Sequence, residues 1–224
     1  MAKKKLKKFA EINSFSNVVQ PQYLHTHTDH PNRGQWSQSW FGNGQSVVLE
    51  IGCGKGEYTV GLAEACPGTN FIGIDIKGDR IWTGARAALD KGLHNVSFLR
   101  IQAEMLIRFF APGEVSGIWL TFPDPYLRRS RHKKRLTSQA FLERYRSILA
   151  IGSPIHLKTD NSELYAYTLD VIREGRHHLI DHCRDLYGSS QERDPMLKDI
   201  RTYYEQKFLD RGLPIHYVKF SLRS

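Results

Sequence analysis

The residues in this sequence best suited to chemistry are acids that follow short apolar runs, and the first of them leads into three glycines. Val47-Val48-Leu49-Glu50-Ile51 runs into Gly52, Gly54 and Gly56 at alternate positions. Missing Cβ atoms let a backbone approach a flat ligand and turn sharply into a helix, so the stretch reads as the floor of a nucleotide-cofactor site. A dinucleotide fingerprint places its third glycine at the sixth position, which counted from Gly52 is Glu57. A pyrophosphate there would face Glu50 and Glu57 with only Lys55 to offset them. An acidic strand end suits instead a ligand without phosphates and with cationic groups. S-adenosylmethionine, with its sulfonium and amino group, is such a ligand. Asp75 closes a second apolar run, Asn70 to Ile74. It lies about 20 residues beyond the glycines, where a nucleoside-binding βαβ unit holds the acid that accepts two ribose hydroxyls. Ending a strand and capping a helix is the plain alternative for either acid alone; the spacing of the two favours a site.

A third acid is held differently. Ile118 to Phe122 reads as a strand that delivers Pro123-Asp124-Pro125-Tyr126, and two prolines with fixed φ leave the carboxylate between them little freedom. The chain then enters Arg128 to Arg135, in which six of eight residues are Lys or Arg, a clamp for substrate phosphates. Gln102, after the strand Val96 to Ile101, either holds an adenine edge by its amide or is an ordinary loop residue. Asp160, after the strand Ile155 to Lys158, either caps the helix through Ile172 or meets the substrate base.

These residues need an open, mostly parallel sheet to bring their strand ends together, and the composition allows one. With 224 residues, 40% of them apolar, the chain can build one α/β core. A net charge of +9 favours a polyanionic partner, nucleic acid ahead of a membrane surface. No apolar run approaches the ~18 residues of a membrane span, and Met1 to Lys8 is too polar for a signal peptide. Cys53, Cys66 and Cys183 are scattered and odd in number, as reduced thiols are in a cytoplasmic protein. Residues 1–45 read as a basic arm and irregular lead-in, and 46–224 as the catalytic domain. The lysines at positions 3, 4, 5, 7 and 8 form either a solvated arm or a polybasic finger on phosphates. His25, His27 and His30 have neither a cysteine nor a helical pair spacing, and no metal site is expected. Helices are expected from Tyr58 to Cys66, from a cap at Asp79 to Gly92, and after a cap at Thr137. Alternation at Val218, Phe220 and Leu222 predicts an antiparallel hairpin at the sheet edge.

Five motifs in order carry a resemblance: Glu50-Ile51-Gly52-Cys53-Gly54-Lys55-Gly56, Phe122-Pro123-Asp124-Pro125-Tyr126, Lys134-Arg135-Leu136, Thr159-Asp160 and Thr202-Tyr203-Tyr204-Glu205. From about residue 46 onward the sequence resembles the tRNA (guanine-N7)-methyltransferase family. The resemblance implies an α/β, Rossmann-like seven-stranded class I S-adenosylmethionine-dependent methyltransferase fold, mostly parallel with a C-terminal antiparallel strand. It implies methyl transfer to N7 of guanine-46 in the tRNA variable loop. By position, Glu50, Gly52, Gly54, Gly56, Asp75, Gln102 and Asp124 match cofactor residues, and Asp124 also matches the active-site acid. Arg128, Asp160, Thr202, Tyr203, Tyr204 and Glu205 match substrate contacts. Tyr126 stands where the family usually has Trp, Gln102 where it has Asp or Asn, and Arg128 where it commonly has Lys. The chemistry agrees: guanine N7 is an unprotonated lone pair, so its methylation requires in-line positioning and tolerance of positive charge rather than a general base.

Two rivals are disfavoured by particular residues. An amino-group methyltransferase carries a second proline where Tyr126 follows Pro125. A non-catalytic RNA-binding protein of the same fold has no use for the cofactor acids alongside Asp124. Besides tRNA, the sequence leaves monomer, homodimer and a complex with a partner subunit open.

Overall fold

The computed structural model describes residues 2–21 and 28–223. Its sheet has eight strands: β1 (Val18–Val19), β2 (Val47–Ile51), β3 (Asn70–Ile74), β4 (Val96–Leu99), β5 (Val115–Thr121), β6 (Pro154–Thr159), β7 (His178–Cys183) and β8 (His216–Ser221). The helices are α1 (Ala2–Glu11), α2 (Glu57–Ala65), α3 (Gly78–Asp90), α4 (Leu106–Phe109), α5 (Gln139–Arg146), α6 (Ser162–Glu174), α7 (Met196–Asp199) and α8 (Tyr203–Leu209). Strand order is β1-β4-β3-β2-β5-β6-β8-β7, and β8 alone runs against its neighbours. Chain order reverses between β2 and β5, so the crevice beyond their carboxyl ends is the natural ligand site of such a sheet.

Two apolar clusters cover the two faces. Leu49, Ile72, Leu120, Leu157 and Phe220 point to one, with Trp36, Phe141 and Leu164 packed over them. Phe71, Phe98 and Trp119 point to the other, beneath Tyr58, Leu62, Ile81 and Ala85 of α2 and α3. Burial on both faces explains why the central strands read as continuous apolar runs rather than alternating ones.

The structure adds to and corrects several sequence expectations. An eighth strand, β1, pairs parallel with β4 (Val18 with Phe98, Val19 with Leu99). The lysine run is the start of α1, which lies on α3 with the Lys8 ammonium 4.2 Å from the centre of the Trp82 ring. The lead-in contributes to the core: Trp36 begins a π-helical turn, is fully buried and donates from Nε1 to Phe109 O at 2.7 Å. Lys77, not Asp79, occupies the N-cap position of α3, and Asp79 sits in the first turn, where a carboxylate still meets the positive helix end. Ser138, not Thr137, precedes α5, while the Thr137 hydroxyl accepts from Thr168 at 2.9 Å. His25 and His27 lie outside the described residues, and His30 stacks between Trp36 and Phe109 at 5.3 and 5.1 Å. Among the described residues no helix is long and apolar enough to cross a membrane.

Candidate active site

A cavity of about 420 Å³ opens at the carboxyl ends of β2, β3, β4 and β5. Gly52 lines this cavity, and the loop that continues through Gly54 and Gly56 holds φ of 79°, 56° and 71° at its three glycines, backbone that side-chain-bearing residues rarely adopt. At Gly56 a Cβ would also lie 2.5 Å from the Phe98 ring, so loop and sheet could not pack with any larger residue. Asp75 is built into this loop: Oδ2 accepts from Gly54 N at 3.0 Å and Oδ1 from Lys77 N at 2.8 Å. Each oxygen keeps a further lone pair, the arrangement a ribose diol requires. Gln102 lines the same cavity beside Ile101, and Phe141 supplies an apolar wall suited to an adenine face. A nucleoside with a cationic tail therefore fits the residues present.

Glu50 lies behind the residues that line the cavity, 2% exposed on β2, with one oxygen accepting from the Thr59 hydroxyl of α2 and the other from Thr121 of β5. Burial is the main cause that pushes its carboxyl up to about 7, with the nearby Asp75 adding to it, against the two hydroxyls.

Asp124 lines the cavity and is exposed to it, on a loop held under strain. Phe122 and Tyr126, on either side of the Pro-Asp-Pro unit, adopt φ of 49° and 41°. Such residues each cost about 1–3 kcal/mol and persist only where neighbours enforce them. One enforcer was grouped by sequence with the phosphate clamp. Arg135 is 1% exposed; its Nε donates to Pro125 O at 2.7 Å, and its Nη2 lies 3.4 Å from Tyr126 O. The same guanidinium pairs with Glu163 in the first turn of α6 and lies 4.4 Å from the centre of the Tyr167 ring. It is thus a brace rather than a surface charge. Arg128, Arg129, Arg131, Lys133 and Lys134 remain exposed on a short 3₁₀ helix and the residue before it.

On the far side of the crevice, the cap of α6 is Asn161, whose Oδ1 accepts from Leu164 N at 2.8 Å. Asp160 is released from that role and sits half-buried, its carboxyl raised by burial. The four residues Thr202 to Glu205 separate by task. Thr202 caps α8, accepting from Glu205 N at 3.1 Å. Glu205 is fully buried against Lys158 Nζ at 2.6 Å and accepts from the Tyr187 hydroxyl at 3.1 Å. Tyr203 and Tyr204 are exposed. Phe208 of α8 packs on Phe122 with ring centres 5.8 Å apart, which brings this helix to the active-site loop. Lys158 had a signal in the sequence, a lone cation within the apolar run of β6; Arg135 was masked by the charges before it.

A doubly wound sheet with one antiparallel strand and a glycine loop at its switch point is a class I S-adenosylmethionine-dependent methyltransferase fold. Solved structures agree: the chain is similar to the 16S rRNA methyltransferase KamB (TM-score 0.58, 16% identity, 80% of this chain and 89% of that one). It is similar also to the antibiotic-resistance methyltransferase Kmr (TM-score 0.54, 19% identity, 80% and 87%). A family model described as "Putative methyltransferase" matches residues 44–218. The tRNA (guanine-N(7)-)-methyltransferase of Bacteroides thetaiotaomicron is 48% identical over 99% of this chain and 87% of its own length. That of Christiangramia forsetii is 44% identical over 99% of both chains, and that of Bacillus subtilis 35% identical over 86% and 87%. The chain belongs to the tRNA (guanine-N7)-methyltransferase family.

Proposed function

We propose that this protein transfers the methyl group of S-adenosylmethionine to N7 of guanine-46 in the tRNA variable loop, in the cytoplasm. The observation that carries the reading is one cavity bordered both by Asp75, fixed on the glycine loop, and by Asp124, fixed between two strained residues. The cofactor supplies an activated methyl on a sulfonium. Asp75 takes the ribose hydroxyls, Gln102 the adenine edge, and the glycines give the backbone close access. Glu50, buried behind this surface, contributes charge and support rather than a direct bond. Asp124 accepts hydrogen bonds from guanine N1 and N2 and offsets the positive charge that develops on the ring; with an unprotonated N7, no proton has to be removed. Arg128, Asp160, Tyr203 and Tyr204 form the tRNA-facing edge, and residues 46–224 the catalytic domain.

The test is methyl transfer from labelled cofactor to unmodified tRNA by the purified chain, with the product located by cleavage at N7-methylguanine. Cleavage in the variable loop is expected, and Asp124→Asn should lower kcat by roughly 100-fold, with cofactor affinity within about threefold. Label at another atom, or a collapse of cofactor affinity in that variant, would overturn the reading.

A further inference from the structure

Glu57 has no use in the cofactor chemistry: it excludes a pyrophosphate, but that explains only what does not bind. In the structure it is the first residue of α2, directly after Gly56, and it is exposed. Its Oε2 accepts from Tyr203 N at 2.8 Å, one of the amide donors that the first turn of α8 leaves without an intrahelical partner. On the other side of Gly56, the Lys55 ammonium lies 4.9 Å from the centre of the Tyr203 ring. Two further contacts anchor the same segment. Lys158 Nζ donates to Leu197 O at 2.7 Å and pairs with Glu205, and Ile200 packs so tightly on α2 that a Cβ at Gly61 would lie 2.5 Å from it.

The segment 197–205 is thus held at its base by β6, along its flank by α2, and at its exposed tip by the residues on either side of Gly56. We propose that Glu57 is a positioning residue for tRNA, fixing the Tyr203 edge to the cofactor loop so that both substrates are registered against one piece of backbone. The inference rests on the reading that Tyr203 and Tyr204 face tRNA. Charge supplies an independent argument, since a carboxylate at the edge of a +9 chain repels a polyanion. The two roles of Glu57 therefore predict opposite signs when it is removed.

The experiment compares KM for unmodified tRNA, kcat and cofactor affinity in Glu57→Ala, Glu57→Gln, Tyr203→Ala and the Glu57→Ala/Tyr203→Ala double variant; both sites are exposed, so folding is not at stake. Glu57→Ala should raise KM for tRNA by about three- to tenfold while cofactor affinity holds, as loss of one partly exposed charge-assisted hydrogen bond implies. Glu57→Gln keeps an acceptor for Tyr203 N and should restore KM. The double variant should match Tyr203→Ala, because one contact cannot be lost twice. A KM that falls or stays constant in Glu57→Ala, while Tyr203→Ala raises it, overturns the inference alone and leaves the carboxylate a mere repeller of phosphates. A constant KM in Tyr203→Ala overturns the tRNA-edge reading and the inference with it.

Discussion

Glu50→Gln tests what burial does to an acid in this fold. The glutamine is isosteric, and the Thr59 and Thr121 hydroxyls that donate to the carboxylate can rotate to accept from an amide, so packing is retained. In the folded protein the Glu50 carboxyl is pushed from 4.5 up to about 7, chiefly by burial. Its folded state therefore keeps a proton that the unfolded chain releases, and between pH 4.5 and about 7 folding stability falls as pH rises. At about 1.4 kcal/mol per pH unit, the full loss by pH 8 is about 3 kcal/mol. Urea unfolding of both proteins from pH 4.5 to 8 isolates this group, because every other acid titrates in both. The variant should gain on the parent steadily through pH 7 and level off above it. A stability difference that stays constant across this range would refute the reasoning and show that Glu50 is ionised throughout.

Other substitutions probe the rest of the site. Arg128→Ala should weaken tRNA binding and reduce the slope of log affinity against log salt by about 1, as one lost phosphate contact predicts; an unchanged slope excludes that contact. Arg135→Lys keeps the charge but loses the fork that joins two loop carbonyls to Glu163, so kcat should fall about tenfold or more with cofactor affinity intact. A change in salt dependence without a change in kcat would instead make Arg135 a phosphate contact. Lys158→Met leaves the Glu205 carboxylate buried and unpaired and should destabilise the fold by about 3–5 kcal/mol, most of it recovered in Lys158→Met/Glu205→Leu when measured by denaturant titration.

The parallel strands, the glycine loop and the Asp124 turn were legible because each is written locally: apolar runs, glycines at fixed spacing, and an acid between two prolines. What escaped the sequence depends on partners distant in the chain. β7 is an exposed edge strand whose alternation is weak, and β1 has only two residues, so neither carries a pattern. The burial of Trp36 depends on a carbonyl 73 positions away, at Phe109. Side-chain type indicated which residues matter, but not which of them face solvent. Glu205 and Arg135 carry charges that sequence reasoning sends to the surface, and each is buried because a single opposite charge, Lys158 or Glu163, receives it. At Ser138 and Asn161 the cap position falls one residue beyond Thr137 and Asp160, which were equally suited by type, and at α3 it falls on Lys77, two residues before Asp79.

The place of β8 between β6 and β7 has a consequence for how the sheet is assembled. β7 is synthesised well before β8, yet among the strands it pairs only with β8, through Asp181 opposite Lys219 and His182 opposite Val218. Until β8 arrives, β6 has an open edge and β7 has nothing to join, so these three strands close in one late, long-range step, the kind that slows folding and exposes unpaired backbone. A chain cut between Cys183 and His216 therefore loses two strands from the sheet rather than one, and an intermediate stalled at that point presents the bare edge of β6 to any neighbouring strand.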